Sequence, residues 1–228
     1  MATGKRLLED IAGALAPFGL MVRGGFDFRS DDTAPAGPGG RMARSVLLVG
    51  HAGGSIWAPF SAWRAQRSGE AGNPLDAWSR QVIGGVAGLA GAHAVFPSDP
   101  PYLPFQQWAM RAEGLRPSPL GILMHPAYGL WHAYRGAILF NEALALPPAR
   151  PVAHPCDSCH GKPCLGACPV EAYSPAGFDV QACRSHASSL AGDACRGGCL
   201  ARMACPVGAS YRYCEEQQRF HQRAFLGA

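Results

Sequence analysis

The sequence predicts an α/β fold of the α+β kind for residues 1–150 and a separate small domain for residues 151–228. Three observations predict it. Apolar runs of strand length alternate with amphipathic stretches of helix length through the first 150 residues. All nine cysteines lie between Cys156 and Cys214. Pro147, Pro148 and Pro151 form a stiff joint between the two parts. With 228 residues, 48% of them hydrophobic and 16% charged, the chain can bury one good core and a small satellite. The cysteine-bearing part is too poor in aliphatic residues for a large core of its own, so bound metal would supply much of its folding free energy.

Within Met1–Pro17, Leu7, Leu8, Ile11 and Leu15 mark one face of a short amphipathic helix. Glu9 and Asp10 inside that pattern are unlike a secretory or twin-arginine signal. Residues 29–40 are rich in Gly, Pro and Asp and read as a loop. Val46–Val49 reads as a buried strand, followed by His51-Ala52-Gly53-Gly54-Ser55 and a helix carrying Trp57, Phe60 and Trp63. That junction has two readings, a backbone cradle for phosphate or a tight turn with Ser55 as helix cap, and it lacks the lysine of a nucleotide loop.

A second helix, starting at Asn73-Pro74-Leu75-Asp76 and running to about Ala94, places Gly84, Gly88 and Gly91 on one face. A neighbouring helix or a flat ligand is therefore expected close to its backbone. Pro97–Pro119 is proline-rich, contains a short helix around Phe105–Glu113, and reads as a lid or a packed surface excursion. Leu120–Met124 and Trp131–Phe140 read as a strand pair joined through His125–Gly129, with Gly136 marking a bulge or a close approach to a ligand. Residues 82–96 are apolar and uncharged, but four glycines and His93 argue against a membrane span. The net charge of +4 comes without a basic block and gives nucleic-acid binding little support. The expected setting is cytoplasmic, with no membrane partner.

The cysteines are spaced Cys156-x2-Cys159-x4-Cys164-x3-Cys168-Pro169, then Cys183, then Cys195-x3-Cys199-x5-Cys205-Pro206. Three cysteines followed by Cys-Pro, twice over, resembles the ligand layout of two-cluster bacterial ferredoxins, in which the Cys of each Cys-Pro ligates the other cluster. The stretch from Cys164 to Tyr173 is also echoed by Cys199 to Ala209, with two residues added. The resemblance implies two 4Fe–4S clusters, one held by Cys156, Cys159, Cys164 and Cys205, the other by Cys168, Cys183, Cys195 and Cys199. Cys214 is left over. Two alternatives stay open: a pair of structural zinc sites, and a disulfide framework, which would need an oxidising compartment.

The stretch His125-Pro126-Ala127-Tyr128-Gly129-Leu130-Trp131, with Arg135-Gly136 after it, resembles the His-Pro-x-x-Gly-x-Trp…Arg-Gly signature of cblC-type cobalamin-processing proteins. The likeness covers residues 15–145. It implies a fold similar to nitroreductases and flavin reductases, a corrinoid-binding role, and removal of the upper axial ligand of vitamin B12. By the same resemblance His125, Gly129, Trp131, Arg135 and Gly136 face the corrinoid, with Arg135 on the upper-ligand side as the catalytic residue. Read from the residues alone, Arg135 is equally a strand arginine paired to a carboxylate, and His125 a turn residue. A corrinoid domain followed by a two-cluster domain is similar in layout to epoxyqueuosine reductases, whose catalytic Asp segment has no counterpart in this sequence.

The resulting expectation is an iron–sulfur oxidoreductase acting on cobalamin, a reductase or decyanase. Its partners would be an external electron donor, a flavoprotein or ferredoxin reductase, and a B12-dependent client. Two other readings are corrinoid-dependent reduction of another substrate, such as epoxyqueuosine, and a ferredoxin-type electron carrier that binds no corrinoid.

Overall fold

The computed structural model describes residues 2–67 and 72–227. In chain order the first elements are α1 (Ala2–Leu15), β1 (Met21–Asp27), β2 (Ser45–Ala52), α2 (Trp57–Ala65), α3 (Pro74–Leu89) and β3 (His93–Val95). Then come α4 (Phe105–Glu113), β4 (Arg116–Pro117), β5 (Leu123–Met124) and β6 (His132–Phe140). The remainder is short: α5 (Pro163–Gly166), β7 (Tyr173–Ser174), β8 (Gly177–Phe178), α6 (Val180–Ser188), α7 (Asp193–Gly197), α8 (Leu200–Met203) and α9 (Glu215–Leu226). Met1, where the first expected helix was begun, lies outside the described residues.

The chain divides into two compact units. The first comprises Met1–His51, Ser55–Gly114 and Ala133–Pro151, and the second Ala52–Gly54, Leu115–His132 and Val152–Ala228. This differs from a division into 1–150 and 151–228, because residues 52–54 and 115–132 group with the cysteine-bearing segment. The proline joint is therefore only one of several places where the chain passes from one unit to the other.

The first unit is a mixed α/β structure around a sheet of order β1-β2-β6-β3, in which β1 with β2 and β3 with β6 are antiparallel. Strand β2 is buried along its whole length, as expected for a central strand written as a continuous apolar run. Leu15 of α1, Phe60 of α2, and Trp78 and Ile83 of α3 are fully buried in the core. Asn73 caps α3 by accepting from the Asp76 N–H at 3.4 Å, and Pro74 occupies the first turn, where its missing N–H costs nothing.

A charged network crosses this core. Arg23, 2% exposed, donates to both carboxylate oxygens of Glu113 at 3.0 and 3.1 Å and to the His51 carbonyl at 3.2 Å. The Tyr134 hydroxyl also donates to Glu113. Burial pushes the Tyr134 phenol far above its ordinary value, and the Glu113 charge adds to this, so the hydroxyl keeps its proton. A guanidinium so fully paired can be buried without an uncompensated charge.

Six expectations need correction. Leu123–Met124 does not pair with the strand at 132–140. It folds back on β4, with Arg116 opposite Met124 and Pro117 opposite Leu123, while β6 pairs with β3. Gly121 interrupts the run at a positive φ and makes the local hairpin the shorter route. Trp131 precedes β6, so it does not share a strand face with Arg135. Helix α3 ends at Leu89, where Gly91 in the left-handed region terminates it and the Ala92 N–H donates to the Ala87 carbonyl at 2.8 Å. Gly84 and Gly88 face open space, with nothing approaching the helix there.

The last two corrections concern small residues. Ser55 does not cap α2; its hydroxyl donates to the Gly19 carbonyl at 2.6 Å. Gly136 lies in β6 immediately before the residues that pair with β3, and the close approach comes from the side chains of Ile83 and Phe96. The helix expected around Phe105–Glu113 is present as α4, and among the described residues no helix is long and apolar enough to cross a membrane.

Because open space faces Gly84, Gly84→Ala should gain helix propensity without a clash. Urea unfolding should show stability higher by about 0.5–1 kcal/mol. A loss of stability would mean that the helix backbone is covered.

Candidate functional site

The second unit is organised by its cysteines. One small cavity is lined by Cys156, Cys159, Cys164 and Cys205, together with Met124, Leu130 and the prolines 155, 163 and 206. Another is lined by Cys168, Cys183, Cys195 and Cys199, with Tyr173, His186 and Leu200 beside them. The duplicated half-motif explains this sorting. Each copy folds into a single helical turn, α5 in the first and α8 in the second, and the two turns pack on each other. Cys164, inside α5, shares a cavity with Cys205, which follows α8. Cys168, which follows α5, shares the other with Cys199, which precedes α8.

All nine cysteines are free thiols. Burial pushes the Cys156, Cys164, Cys183 and Cys195 thiols up, and sulfurs of the same cavity push the same way: Cys205 on Cys156 and Cys164, Cys199 and Cys168 on Cys183 and Cys195. Lys162 opposes this at Cys156. Two such thiols in each cavity are a poor arrangement for bare thiolates, and a cationic core among them would invert that logic. Among the described residues no group of three or more His, Cys, Asp or Glu side chains is arranged to hold a metal ion. A zinc site would draw its sulfurs in to about 2.3 Å from one point, whereas a polynuclear core spreads them over its corners. Four cysteine sulfurs in each cavity suit either case by donor type.

The sequence signature is split between the units. His125, Gly129 and Trp131 lie in the second, Arg135 and Gly136 in the first. Gly129, at φ +57°, makes mutual backbone bonds with His125 at 2.9 and 3.0 Å, and an added Cβ would run into the Val207 carbonyl. Gly208, at φ +70°, is pressed in turn against the backbone of Tyr128 and Gly129. The signature glycine thus packs against the second Cys-Pro motif backbone to backbone.

His125 accepts the N–H groups of Ala127 and Tyr128 on Nδ1, both at 3.1 Å, and its ring stacks on Tyr128 at 4.0 Å. With Nδ1 accepting, the neutral imidazole carries its proton on Nε2, which makes that nitrogen a donor rather than a metal ligand. Trp131 is buried between the Tyr213 ring, 5.3 Å away, and the Arg202 guanidinium, 4.4 Å away. Arg202 is itself fixed by two bonds to the Leu130 carbonyl, at 3.1 and 2.6 Å. Arg135 pairs with Asp76 at 2.5 Å and donates to the Ser79 hydroxyl at 3.1 Å. Cys214 is exposed at the start of α9 and lines neither cavity.

Three residues of this region carried no expectation of a role. They are Arg202, which braces Trp131, Gly208, and Tyr173, whose hydroxyl lies 3.7 Å from the Cys199 sulfur. Gly208 was legible in the repeat, where it stands at the place of Glu171, another left-handed residue at φ +48°.

This combination, an α/β unit with an antiparallel sheet and a second unit holding two four-thiol cavities, defines the class of structure with which the chain compares. No protein-family model and no curated protein sequence matches it. Among solved structures, a C. elegans B12-trafficking protein, CblC, is similar in fold, with a TM-score of 0.59 at 12% identity over 99% of this chain and 97% of that one. An epoxyqueuosine reductase bound to an epoxyqueuosine-modified tRNA-Tyr stem loop is similar with a TM-score of 0.56 at 16% identity, over 96% of this chain and 68% of that one. The Bacillus subtilis epoxyqueuosine reductase gives 0.53 at 16% identity, with the same coverage. A further epoxyqueuosine reductase is matched over only 52% of its length, so the chain spans about half of it.

Gly208→Ala should destabilise the protein by at least about 1 kcal/mol, since it adds left-handed strain to a clash with Tyr128. Glu171→Gly, at the matching place in the other half of the repeat, should change stability by no more than about 0.5 kcal/mol. Equal tolerance of both substitutions in denaturant unfolding would contradict the packing described for Gly129 and Gly208.

Proposed function

We propose that the protein is an iron–sulfur reductase that acts on cobalamin and removes its upper axial ligand. The observation that carries this reading is the sorting of eight thiols into two sets of four that cross the two Cys-Pro motifs. The fold shared with a B12-trafficking protein and with epoxyqueuosine reductases supports cobalamin as the substrate. Cys156, Cys159, Cys164 and Cys205 would hold one 4Fe–4S cluster, and Cys168, Cys183, Cys195 and Cys199 the other. Such clusters supply electrons singly, which suits stepwise reduction of a Co(III) corrinoid. An added electron enters an orbital antibonding toward the axial ligands, so Co(III)–CN plus one electron gives Co(II) and free cyanide. The electron comes from an external flavoprotein or ferredoxin reductase, and the product would pass to a B12-dependent client.

His125, Gly129, Trp131, Arg135 and Gly136 are the residues proposed to shape the corrinoid face. Gly129, Trp131 and Gly136 contribute by packing, and His125 offers a donor at Nε2. Asp76 and Ser79 hold the plane of the Arg135 fork. Its proposed task is directional, to donate a charge-assisted hydrogen bond to the departing anion. A second reading, corrinoid-dependent reduction of a substrate such as epoxyqueuosine, is favoured by the overlap of 96% of the chain with two epoxyqueuosine reductases. Conversion of an epoxyqueuosine-containing stem loop, with cyanocobalamin left unprocessed, would select it.

Anaerobically prepared protein should contain about eight iron and eight sulfide per chain. Cys205→Ala should lose roughly half of the iron and stop cyanide release from cyanocobalamin, whereas Cys214→Ala should keep both clusters. Cyanide release at the wild-type rate by Cys205→Ala, with the same electron donor, would refute the electron-supply role. Arg135→Lys keeps a charge but loses the fork. It should slow cyanide release roughly tenfold or more while cobalamin co-elution changes little. An unchanged rate would make Arg135 a structural partner of Asp76 alone.

A further inference from the structure

We propose that Tyr173 sets the reduction potential of the cluster on Cys168, Cys183, Cys195 and Cys199 by donating a hydrogen bond from its phenol to the Cys199 sulfur. The inference rests on the two-cluster reading and goes beyond it, because it makes the two clusters chemically unequal.

The Tyr173 oxygen lies 3.7 Å from the Cys199 sulfur. A metal-bound cysteine has no proton to give, so the phenol is the only possible donor of the pair. Local structure holds the ring in place. Tyr173 and Phe178 are opposite one another in the β7–β8 hairpin and stack with centroids 4.8 Å apart and planes 14° apart. Phe178 packs in turn on Phe225 of α9 at 6.2 Å. Arg184 braces Phe225 through two bonds to its carbonyl, at 3.1 and 2.7 Å. A phenol clamped in this way cannot swing away from the sulfur without breaking a stacked pair.

The repeat makes the asymmetry visible. Cys168-Pro169-Val170-Glu171-Ala172-Tyr173 aligns with Cys205-Pro206-Val207-Gly208-Ala209-Ser210, so the second half carries an exposed serine where the first carries Tyr173. Ser210 is exposed, whereas Tyr173 is half-buried with its hydroxyl on the Cys199 sulfur. Reduction adds negative charge that spreads onto the sulfurs. A donor at sulfur therefore stabilises the reduced state and raises the potential. The backbone N–H of Ala172, 3.4 Å from the Cys168 sulfur, acts in the same sense on the same cavity. Lys162 acts on the other set as a charge, through Cys156, and the substitutions below leave it untouched.

The test is an anaerobic redox titration of the full-length protein, followed by EPR. Tyr173→Phe should retain the wild-type iron and sulfide content and move one of two midpoints to a more negative potential, leaving the other in place. A ring-fluorinated tyrosine at 173, a stronger donor of nearly the same size, should move that midpoint the opposite way. It also decides the matter if Tyr173→Phe fails to assemble the cluster. Both midpoints unmoved in the loaded variants would overturn the inference and leave the two-cluster reading standing. Wild-type protein without iron and sulfide would overturn both.

Discussion

The second unit depends on packing eight thiols, two buried and six half-buried, in a segment with little else to bury. Its apolar cluster consists of Leu120, Met124, Leu130, Cys164, Ala201 and Cys205, with Cys156, Cys168 and Cys199 packed against it, so the cysteines are themselves part of the core. Burial and the neighbouring Cys205 sulfur push the Cys156 and Cys164 thiols up, a cost that a cationic core drawing the sulfurs together would offset. The packing of α5 on α8 decides which sulfurs meet. Every other feature of the unit follows from that pairing. Neither half of the repeat can complete its set of four alone, so the two must form together.

The second consequence is that the His125–Trp131 segment belongs with the cysteines. Its glycine at 129 is left-handed and in backbone contact with Val207 and Gly208. Its tryptophan is buried under Arg202 and Tyr213. A stretch that resembles a corrinoid-protein signature is thus packed on the second Cys-Pro motif. This links two features that stand far apart in sequence: the signature needs glycine at 129 because the cysteine motif lies against it.

Much of this was legible in the residues. Val46–Val49 is continuous because β2 is a covered central strand, and Asn73-Pro74 reads as a helix start because a cap and a first-turn proline suit only that position. The resemblance to two-cluster ferredoxins implied the two sets of cysteines, and the two cavities group the same residues. Other features depended on tertiary partners that periodicity does not carry. Leu120–Met124 has strand composition, yet its partner was the adjacent β4 rather than β6. Gly84, Gly88 and Gly91 look alike on a helical wheel, but Gly91 ends the helix while the first two face open space. Trp131 and Arg135 are four residues apart and fall in different units, which no spacing rule reveals. The Tyr173–Cys199 contact arises from a hairpin stack whose members have no local motif.

The central claim is that electrons held by the two cysteine sets pass to a corrinoid. The most direct measurement uses protein reduced anaerobically, freed of excess reductant and mixed with hydroxocobalamin in a single turnover. The account predicts that the reduced-cluster EPR signal decays together with the rise of Co(II) corrinoid absorption, at one cobalamin per electron and about two per chain. Clusters that stay reduced beside an unchanged corrinoid would contradict it.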